Sequence, residues 1–471
     1  MGESAMRATI VAVLMLTGRG VNNVISFIVF CILDMLDVIL CIMYKVVDFV
    51  VEAEWKPCYC SSPKEVIMSS GKILVSEHGK SKIVRLSSRK LQLEDVSETL
   101  YRRPSLVAEM MRSTVMGSCE EVRKKGNVGS TVTINSTIIE MLQEKRGGEE
   151  LEPVARWSDC DCNTCTSWAS SSCKESLFVR SQGPKEDNKA KEDVLFIHGF
   201  ISSSAFWSET LFPNFSNAAK SRYRLIAVDL LGFGRSPKPA DSLYTLSEHI
   251  DMIQRSVIDA YKVKSFHIVA HSLGCILALA IAVKYPDAVK SLTLLAPPYF
   301  PVPKGEIGGQ FVMRRLAPRR VWPLITFGAS IACWYEHISR TACFLICKNH
   351  RLWGCIIKLI TGNRVRTYLV DVFFCHTHNA AWHTLHNIIY GSAGKMDSYL
   401  DAVREKLTCE VTVFHGRDDV LLPVECSYSI QSKIPRAHVK VIEKKDHITL
   451  VVGRQKAFAR ELEEIWTKSS R

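Results

Sequence analysis

The chain has 471 residues, which exceeds one ordinary domain and predicts a core with added segments. Lysine and arginine total 60 against 48 aspartate and glutamate, so the formal net charge is +12 and favours anionic surfaces such as phospholipid headgroups or acidic wall polymers. The basic residues are scattered and no known nucleic-acid-binding motif is found, which argues against nucleic acid as a partner.

Residues 1–56 form a strongly apolar leader. Ala8–Leu16 resembles the apolar region of a signal peptide, and Val24–Met43 is long enough to span a bilayer. Asp34 and Asp37 make spanning marginal, because an aspartate near the bilayer centre costs about 2.5–3.5 kcal/mol. Helical periodicity places the polar residues of the leader on one stripe, whose members are Asn23, Ser26, Asp34, Asp37, Lys45 and Asp48. We expect entry into the secretory pathway, with the leader either cleaved or retained as an anchor; a buried cytosolic helix is the alternative.

The next segment is polar and is followed by the start of the core. Residues 57–156 are predicted to be a poorly ordered extension, because serine, lysine, arginine and glutamate dominate them. Residues 157–300 are predicted to be the first part of the core, opening with strands within Trp157–Gln182.

Four cysteines stand near the start of this core: Cys160, Cys162, Cys165 and Cys173. Their spacing is not that of a paired zinc knuckle and no histidine is close in the sequence, so disulfides are favoured over a metal site. The seventeen cysteines of the chain suit an oxidising compartment.

The strongest motif lies at a strand-to-helix junction. The apolar run Phe266–Ala270 predicts a strand, and the alanine-rich run Cys275–Val283 predicts a buried helix. Between them, AHSLG follows the G-x-S-x-G pattern of a nucleophile elbow except at its first position. Ser272 is therefore the candidate nucleophile, and a simple turn serine is the alternative.

An upstream strand supplies a second part of the candidate site. VLFIHGF, Val194–Phe200, is an apolar run that ends in His-Gly. The backbone N–H groups of Phe200 and Leu273 are predicted to form an oxyanion hole. His198 and His271 flank the site, and we expect them to shape the loop and the elbow rather than to act as bases.

Residues 301–407 are predicted to be an inserted helical cap, and residues 408–471 complete the core. The cap segment mixes aromatic residues with arginines, which fits either an ordinary core or a lid over a long acyl chain. Its histidine cluster is predicted to be structural, because no carboxylate or cysteine frame is evident; the members are His376, His378, His383 and His386.

The last two strands lead to the candidate acid and base. VTVFHG runs into Asp418 and Asp419, and the spacing G-x-x-D-x-x-x-P selects Asp419, with Asp418 in reserve. VKVI is followed by His447, which is preferred over His415 and His438 because neither of those stands after its strand.

The order Ser272, Asp419, His447, each after a strand, is that of the α/β-hydrolase fold. We therefore predict a mostly parallel sheet with helices on both faces, an inserted helical cap and the apolar leader. The predicted function is a serine hydrolase or transacylase for fatty-acyl esters that needs no metal or organic cofactor. A non-catalytic binding or scaffold protein on the same fold is the alternative. A serine at the elbow excludes epoxide or haloalkane hydrolysis there, since both need an aspartate nucleophile.

Six motifs together resemble the BODYGUARD family of plant α/β-hydrolases: VLFIHGFISSSAFW, DLLGFGRSPKP, VAHSLG, APPYFPVPKG, HGRDDVLLP and KKDHITL. The resemblance covers Trp157 to the C-terminus and, more weakly, the leader. It implies lysophospholipase or acyltransferase activity and a role in forming the cuticle and its cutin polyester in the epidermal cell wall. The chain departs from the expected motifs at Ala270, in place of the elbow glycine, and at Asp446, where glycine is commoner.

The leader and the cysteines predict the compartment. We expect a protein of the secretory pathway that lies in the cell wall or at the plasma membrane and contacts a membrane or wall surface, with oxidised cysteines. Asn135 and Asn214 begin glycosylation sequons. The sequence does not predict an oligomeric state.

Overall fold

The computed structural model describes most of the chain outside its polar extension. The described residues are 2–52, 72–77, 80–85, 90–92, 96–100, 156–160, 162, 165–166, 176–184, 192–239, 242–362 and 373–469, with the backbone alone for 2–19 and for the strands between 72 and 92. Much of the predicted extension 57–156 lies outside the described residues, as do Cys173 and Asn135. The elements below belong to one compact unit, residues 1–103 and 155–471.

A seven-stranded sheet forms the centre of the protein. The strands in the described residues are β1 Lys72–Glu77, β2 Lys80–Arg85, β3 Lys90–Gln92, β4 Val179–Gln182, β5 Glu192–Ile197, β6 Tyr223–Val228, β7 Phe266–His271, β8 Val289–Leu295, β9 Glu410–Gly416 and β10 His438–Ile442. The central order is β10-β9-β8-β7-β5-β6-β4, parallel throughout except for β4 against β6. Near-continuous apolar runs such as those of β5 and β7 are typical of strands that are covered on both faces. Strands β1, β2 and β3 form a separate antiparallel sheet.

Helices cover both faces of the central sheet. The α-helices in the part of the chain that the structure describes are α1 Gly2–Glu52, α2 Ala205–Ser208, α3 Asn217–Arg222, α4 Leu246–Ile253, α5 Gly274–Lys284, α6 Gly308–Leu316, α7 Leu324–Trp334, α8 Glu336–Ile346, α9 His350–Ile360, α10 His378–Thr384, α11 Met396–Lys406, α12 Glu425–Lys433 and α13 Gln455–Ser469. One apolar cluster joins the sheet to α4, α5, α11 and α12, and another joins it to α2, α3 and α13. The sheet therefore lies between two helical layers, as predicted.

Helices α6 to α11 lie between β8 and β9, where the insertion is predicted, and are called the cap helices below.

The start of the predicted core differs from expectation. In the described part of Trp157–Gln182 the structure has the single strand β4. Trp157 packs instead against Tyr44 of α1 and Phe344 of α8, with ring centroids 5.9 and 5.4 Å away.

The polar stripe of the leader faces the cap helices. Asp37 accepts hydrogen bonds from the backbone N–H groups of His337 and Ile338 at 2.9 and 3.1 Å, at the start of α8. These N–H groups have no partner within their own helix, so the aspartate both satisfies them and complements the helix dipole. One turn earlier, Asp34 accepts a hydrogen bond from the Tyr335 hydroxyl at 2.7 Å.

A buried ion pair continues this contact. Both carboxylate oxygens of Asp48 lie 2.7 Å from guanidinium nitrogens of Arg340, and both side chains are less than a tenth exposed. Asp48 also accepts from the Trp157 indole N–H at 2.6 Å, and the Arg340 guanidinium lies 4.3 Å from the Tyr44 ring centroid. Both buried charged groups therefore have hydrogen-bond partners, which buried charges require.

The opposite side of the leader is apolar and exposed. Its exposed side chains include Val24, Ile28, Ile32, Met35, Ile39 and Ile42. Among the described residues, one helical stretch, Gly20–Glu52, is long and apolar enough by length and composition to cross a bilayer, and an 18-residue window within it has a mean hydropathy of 2.6.

Candidate active site

Ser272 occupies the sharp turn between β7 and α5. Its φ of +52° lies in the left-handed region, which residues other than glycine rarely adopt. Its backbone N–H donates to the Leu295 carbonyl at 2.8 Å, which ties the turn to β8. Gly274 allows the helix to start against β5, because a Cβ there would lie 2.6 Å from the His198 carbonyl oxygen. The elbow thus holds the half-buried Ser272 at the carboxyl end of the middle strand of the sheet.

The loop after β5 lies against this elbow. A Cβ on Gly199 would be 3.1 Å from Ser272 Cβ, so any larger residue would crowd the turn. Phe200 follows directly, and its ring packs edge-on against Phe233 with centroids 6.0 Å apart. Leu273 stands on the other side of the serine, at the start of α5. The structure therefore brings the main chain of both predicted oxyanion donors to the neighbourhood of Ser272.

Asp419 and His447 form a close pair. Nδ1 of His447 lies 2.7 Å from Oδ2 of Asp419, and the other carboxylate oxygen accepts from the N–H groups of Leu421 and Leu422 at 2.9 Å. Burial raises the pKa of Asp419, but its hydrogen bonds with His415 and His447 outweigh that effect and hold the pKa well below its usual range. Asp419 is therefore a carboxylate that fixes the His447 ring and leaves Nε2 as the nitrogen available for chemistry.

The two neighbouring aspartates differ in where they point. The Asp418 side chain is exposed, whereas the Asp419 side chain is buried. The Asp418 backbone N–H donates to the Lys445 carbonyl at 2.9 Å. Gly416 permits this approach, because a Cβ at that position would collide with the same carbonyl. Close packing of the two loops is what brings Asp419, rather than Asp418, to His447.

His447 also stands beside the elbow. The ring of His271, the residue before Ser272, lies 4.7 Å from the His447 ring between centroids, and His271 Nε2 is 3.0 Å from the His447 carbonyl oxygen. Within the described part of the chain, no hydrogen bond joins the Ser272 hydroxyl to His447. Catalytic hydrogen bonds of this kind commonly tighten only in the complex with substrate.

His198 and His271 are buried, and burial keeps them neutral. It lowers the pKa of His198 to about 4 and that of His271 to about 3. His198 Nδ1 donates to the Gly199 carbonyl at 2.7 Å, and its Nε2 accepts from the Leu230 N–H at 2.9 Å. His271 donates to the His447 carbonyl. Each imidazole thus joins two backbone segments that surround Ser272.

Two residues support the acid and base in ways the sequence analysis missed. His415, weighed there only as a competing base, is fully buried and lies 3.5 Å from the Asp419 carboxylate, with Nε2 also 2.8 Å from the Leu422 carbonyl oxygen. Asp446 accepts from the Thr449 N–H at 2.8 Å and so closes the turn that presents His447. This hydrogen bond explains an aspartate where glycine is commoner.

Asp229 is a further positioning residue that the sequence analysis did not single out. Its carboxylate accepts from the backbone N–H of Ser204 at 2.6 Å and from that of Arg235 at 2.8 Å. It therefore joins the loop that carries Phe200 to the glycine-rich loop after β6. The available signal was an aspartate directly after a buried strand.

The cap helices reach the glycine-rich loop after β6. Phe233 and His376 form an isolated backbone bridge, and a Cβ at Gly232 would lie 2.6 Å from the Ala380 methyl group. The cap therefore packs against the loop that also contacts Phe200.

The structure adds two cysteines to the surroundings of one cap histidine. The sequence showed no cysteine frame around the cap histidines, yet the sulfurs of Cys343 and Cys347 each lie 3.8 Å from Nε2 of His376. Cys343 lies in the last turn of α8 and Cys347 directly follows that helix, about 30 residues before His376 in the sequence.

Comparison with known proteins identifies the family. Residues 194–316 match the family of the alpha/beta hydrolase fold. MenH from S. aureus is similar with a TM-score of 0.45 and 16% identity, over 62% of this chain and 99% of MenH. The chain is 58% identical to Probable lysophospholipase BODYGUARD 3 and 56% identical to Probable lysophospholipase BODYGUARD 1, both of Arabidopsis thaliana, in each case over 96% of this chain and 97% of the relative. The chain belongs to the BODYGUARD family.

Membership in the BODYGUARD family confirms the predicted fold and the resemblance, and the chain is a hydrolase of the α/β class. The family match includes the elbow serine and the oxyanion loop, since Phe200, Ser272 and Leu273 all fall within residues 194–316. Asp419 and His447 lie beyond that matched region, and only the geometry above joins them to the elbow.

Proposed function

We propose that this BODYGUARD protein is a serine hydrolase or transacylase that acts on fatty-acyl esters. The observation that carries the proposal is the buried Asp419–His447 pair, 2.7 Å apart, beside a serine held at a φ of +52°. An acyl-transfer enzyme needs a strained, accessible nucleophile, an oriented base and backbone donors at the oxyanion, and a scaffold needs none of them.

In the proposed reaction, Nε2 of His447 removes the proton from Ser272 Oγ as Oγ bonds to the acyl carbonyl carbon. The N–H groups of Phe200 and Leu273 stabilise the oxyanion of the tetrahedral intermediate. That intermediate expels the alcohol, which takes the proton from His447 and leaves an acyl-Ser272 ester. A second hydroxyl, from water or from a hydroxy acid, then repeats the sequence and releases the acyl group.

The proposed substrates are lysophospholipids, monoacylglycerols or cutin precursors. The names of the Arabidopsis thaliana relatives as probable lysophospholipases support the first of these. Transfer of the acyl group to a hydroxy acid instead of water would lengthen a polyester, which suits a role in cuticle and cutin formation in the epidermal cell wall. Neither step calls for a metal or an organic cofactor.

We further propose that the leader is retained and places the enzyme at a lipid surface in the secretory pathway, at the plasma membrane or in the cell wall. The polar stripe that makes spanning costly is occupied by cap contacts, through Asp34, Asp37 and Asp48. The side that remains exposed is apolar, which is the arrangement of a helix lying in a membrane interface.

Labelling with a fluorophosphonate ester tests the proposed nucleophile. Folded full-length protein is expected to give one covalent adduct, mapped by mass spectrometry to Ser272. The S272A variant is expected to lose it, while Asp418→Asn, a change of an exposed side chain, retains it. Absence of an adduct at Ser272 on folded protein would contradict the mechanism.

Two further measurements identify the acyl acceptor and test the alternative that the protein is a scaffold. Incubation with monoacylglycerol and lysophospholipid, with free fatty acid and oligomeric ester measured together, distinguishes hydrolysis from transacylation. If a stably folded S272A protein fully restores the cuticle of a deficient plant, the protein acts as a scaffold and the enzymatic proposal fails.

A further inference from the structure

Three cysteines that precede the core converge on a histidine of the cap. Cys160, Cys162 and Cys165 stand in a C-x-C-x-x-C run, and His350 begins α9 about 190 residues later. One ligand atom from each of the four lies within 4.8 Å of every other. All four side chains are partly buried. The sequence analysis disfavoured a metal here because no histidine is near in the sequence, and the fold supplies one.

The separations fit a tetrahedral metal. With Zn–S near 2.3 Å and Zn–N near 2.0–2.1 Å, the edges of a tetrahedron are about 3.8 Å between sulfurs and about 3.6 Å between sulfur and nitrogen. Cys162 Sγ lies 4.0 Å from Nε2 of His350, close to that sulfur–nitrogen edge, and Cys160 Sγ lies beside the same ring, 3.5 Å from Nδ1. The ligand atoms of the three cysteines and of the imidazole therefore lie close enough to one another to surround a single ion.

The groups around the cluster form the hydrogen bonds expected behind metal ligands. His350 Nδ1 donates to the Cys347 carbonyl at 3.0 Å, which fixes the ring and leaves Nε2 with its lone pair. The Cys165 backbone N–H points at Cys162 Sγ at 3.5 Å, and the Thr166 hydroxyl donates to the Cys162 carbonyl at 3.0 Å. These contacts orient the short cysteine segment before any ion binds.

Disulfide chemistry accounts for the cluster less well. The structure leaves Cys160, Cys162 and Cys165 as thiols. Three thiols form at most one disulfide among themselves, which leaves the third cysteine and His350 unused. A soft divalent ion uses all four groups, and a Cys3His set without a carboxylate is typical of structural zinc.

We propose that Cys160, Cys162, Cys165 and His350 bind one structural Zn²⁺ ion. All four coordination positions are filled by protein, so this ion is structural and takes no part in acyl transfer. It joins the segment before the core to cap helix α9. The neighbouring residues of that segment already contact α1 and α8, through Trp157 and Asp48 and through Ser158 and Arg340. The ion therefore fastens the junction at which the leader, the cap and the start of the core meet.

Metal content of the purified full-length protein tests the proposal. Protein isolated without chelator is expected to contain zinc by elemental analysis, and the triple variant C160S/C162S/C165S is expected to lose one equivalent. Cys355→Ser is the matched control, because Cys355 is an exposed cysteine on α9 outside the cluster. That control is expected to keep its zinc.

The second cysteine cluster requires its own variant. Cys343, Cys347 and His376 also lie within mutual ligand distance and bind any second ion through other side chains. The variant C343S/C347S is expected to retain the equivalent that the triple variant loses. The proposal is overturned if C343S/C347S removes all zinc while the triple variant keeps it.

Thiol labelling of the wild-type protein keeps the proposal falsifiable if the variants do not fold. With a zinc ion bound, Cys160, Cys162 and Cys165 should resist alkylation until a chelator is added, whereas Cys355 reacts from the start. Cobalt substitution should give the visible absorption of a thiolate-rich tetrahedral site. Wild-type protein without zinc, or with these three cysteines in disulfides, contradicts the proposal.

Discussion

Neighbouring groups orient the carboxylates and imidazoles around Ser272 through hydrogen bonds. Asp419 uses one oxygen for the backbone N–H groups of its own turn and the other for His447, with His415 close behind. The His447 ring therefore cannot rotate without breaking a charge-assisted hydrogen bond. The orientation of the candidate base, His447, is thus set by residues that do not contact the ester substrate.

Replacement of Asp419 by asparagine should remove most of the activity while leaving the fold intact. An amide cannot stabilise the imidazolium and favours the wrong tautomer, so kcat should fall by about 10³–10⁴ fold. Steady-state ester hydrolysis measures the fall. Asp418→Asn is the matched control, since its side chain is exposed and its change should alter kcat less than twofold or so; equal losses in the two variants would contradict the assignment of Asp419.

The buried neutral histidines make stability depend on pH. The pKa of His271 is lowered to about 3 from an ordinary value of 6.5, so the unfolded chain binds a proton there below pH 6.5 that the folded chain excludes. Stability is therefore present above pH 6.5 and is lost as the pH falls from 6.5 towards 3. At pH 5 this histidine alone should cost about 2 kcal/mol relative to pH 7.5.

Urea unfolding at the two pH values measures that cost. His271→Phe should reduce the difference in unfolding free energy between pH 7.5 and pH 5 by about 2 kcal/mol. Replacement of the exposed His438, which lies outside the site, should leave the difference unchanged. An unchanged difference in the His271 variant would show that this side chain is protonated in the folded protein.

Polar contacts join helix α1 to helix α8. If the two helices were apart, water would have to satisfy the polar groups that make these contacts. Asp37 satisfies the first N–H groups of α8, and Asp48 neutralises Arg340 within the contact. The sequence alone predicted the stripe that carries these aspartates. It did not predict their partners, because the residues that meet them lie about 300 positions away.

Removal of the Asp48 carboxylate should detach the leader from the cap. Asp48→Ala leaves the Arg340 guanidinium buried without its counterion, which typically lowers the free energy of unfolding by about 3–5 kcal/mol. Limited trypsin digestion of the full-length variant should then release α1 faster than from the wild type. Asp251→Ala, which breaks an exposed ion pair with Lys284, is the control and should digest at the wild-type rate.

Features that depend on contacts local in the sequence could be predicted, and features that depend on distant contacts could not. The elbow, the acid turn and the final histidine are local patterns, each a strand followed by a short loop, and their order predicts the fold. His350 beside Cys160, and Cys347 beside His376, depend on how cap helices fold back on the chain. No spacing in the sequence indicates those pairs. The sequence therefore offers no reason to prefer a metal site over disulfides.

The molecule as a whole presents an apolar helix and a basic net charge to its surroundings. The exposed face of α1 carries Ile32, Ile39 and Ile42, each more than half exposed. The formal charge of +12 adds attraction to anionic lipid headgroups that salt weakens. Apolar insertion and charge attraction are therefore separable experimentally.

Vesicle flotation with the full-length protein separates them. The variant I32K/I39K/I42K should lose binding to vesicles that contain anionic lipid, even though it gains positive charge, because the apolar face supplies the insertion energy. Wild-type binding should weaken but persist at high salt. The variant A457K/E464Q/T467K changes three exposed positions of α13 and adds the same three positive charges, so it is the charge-matched control; equal binding by the two variants would contradict a lipid-facing leader.

The Asp48–Arg340 pair also ties the cap to a helix whose other side is apolar. Because both charged side chains are buried in that contact, α1 and α8 keep one arrangement, and the apolar side of α1 stays exposed. If that side rests on a lipid surface, the depth to which α1 inserts also fixes how far the cap stands from the surface.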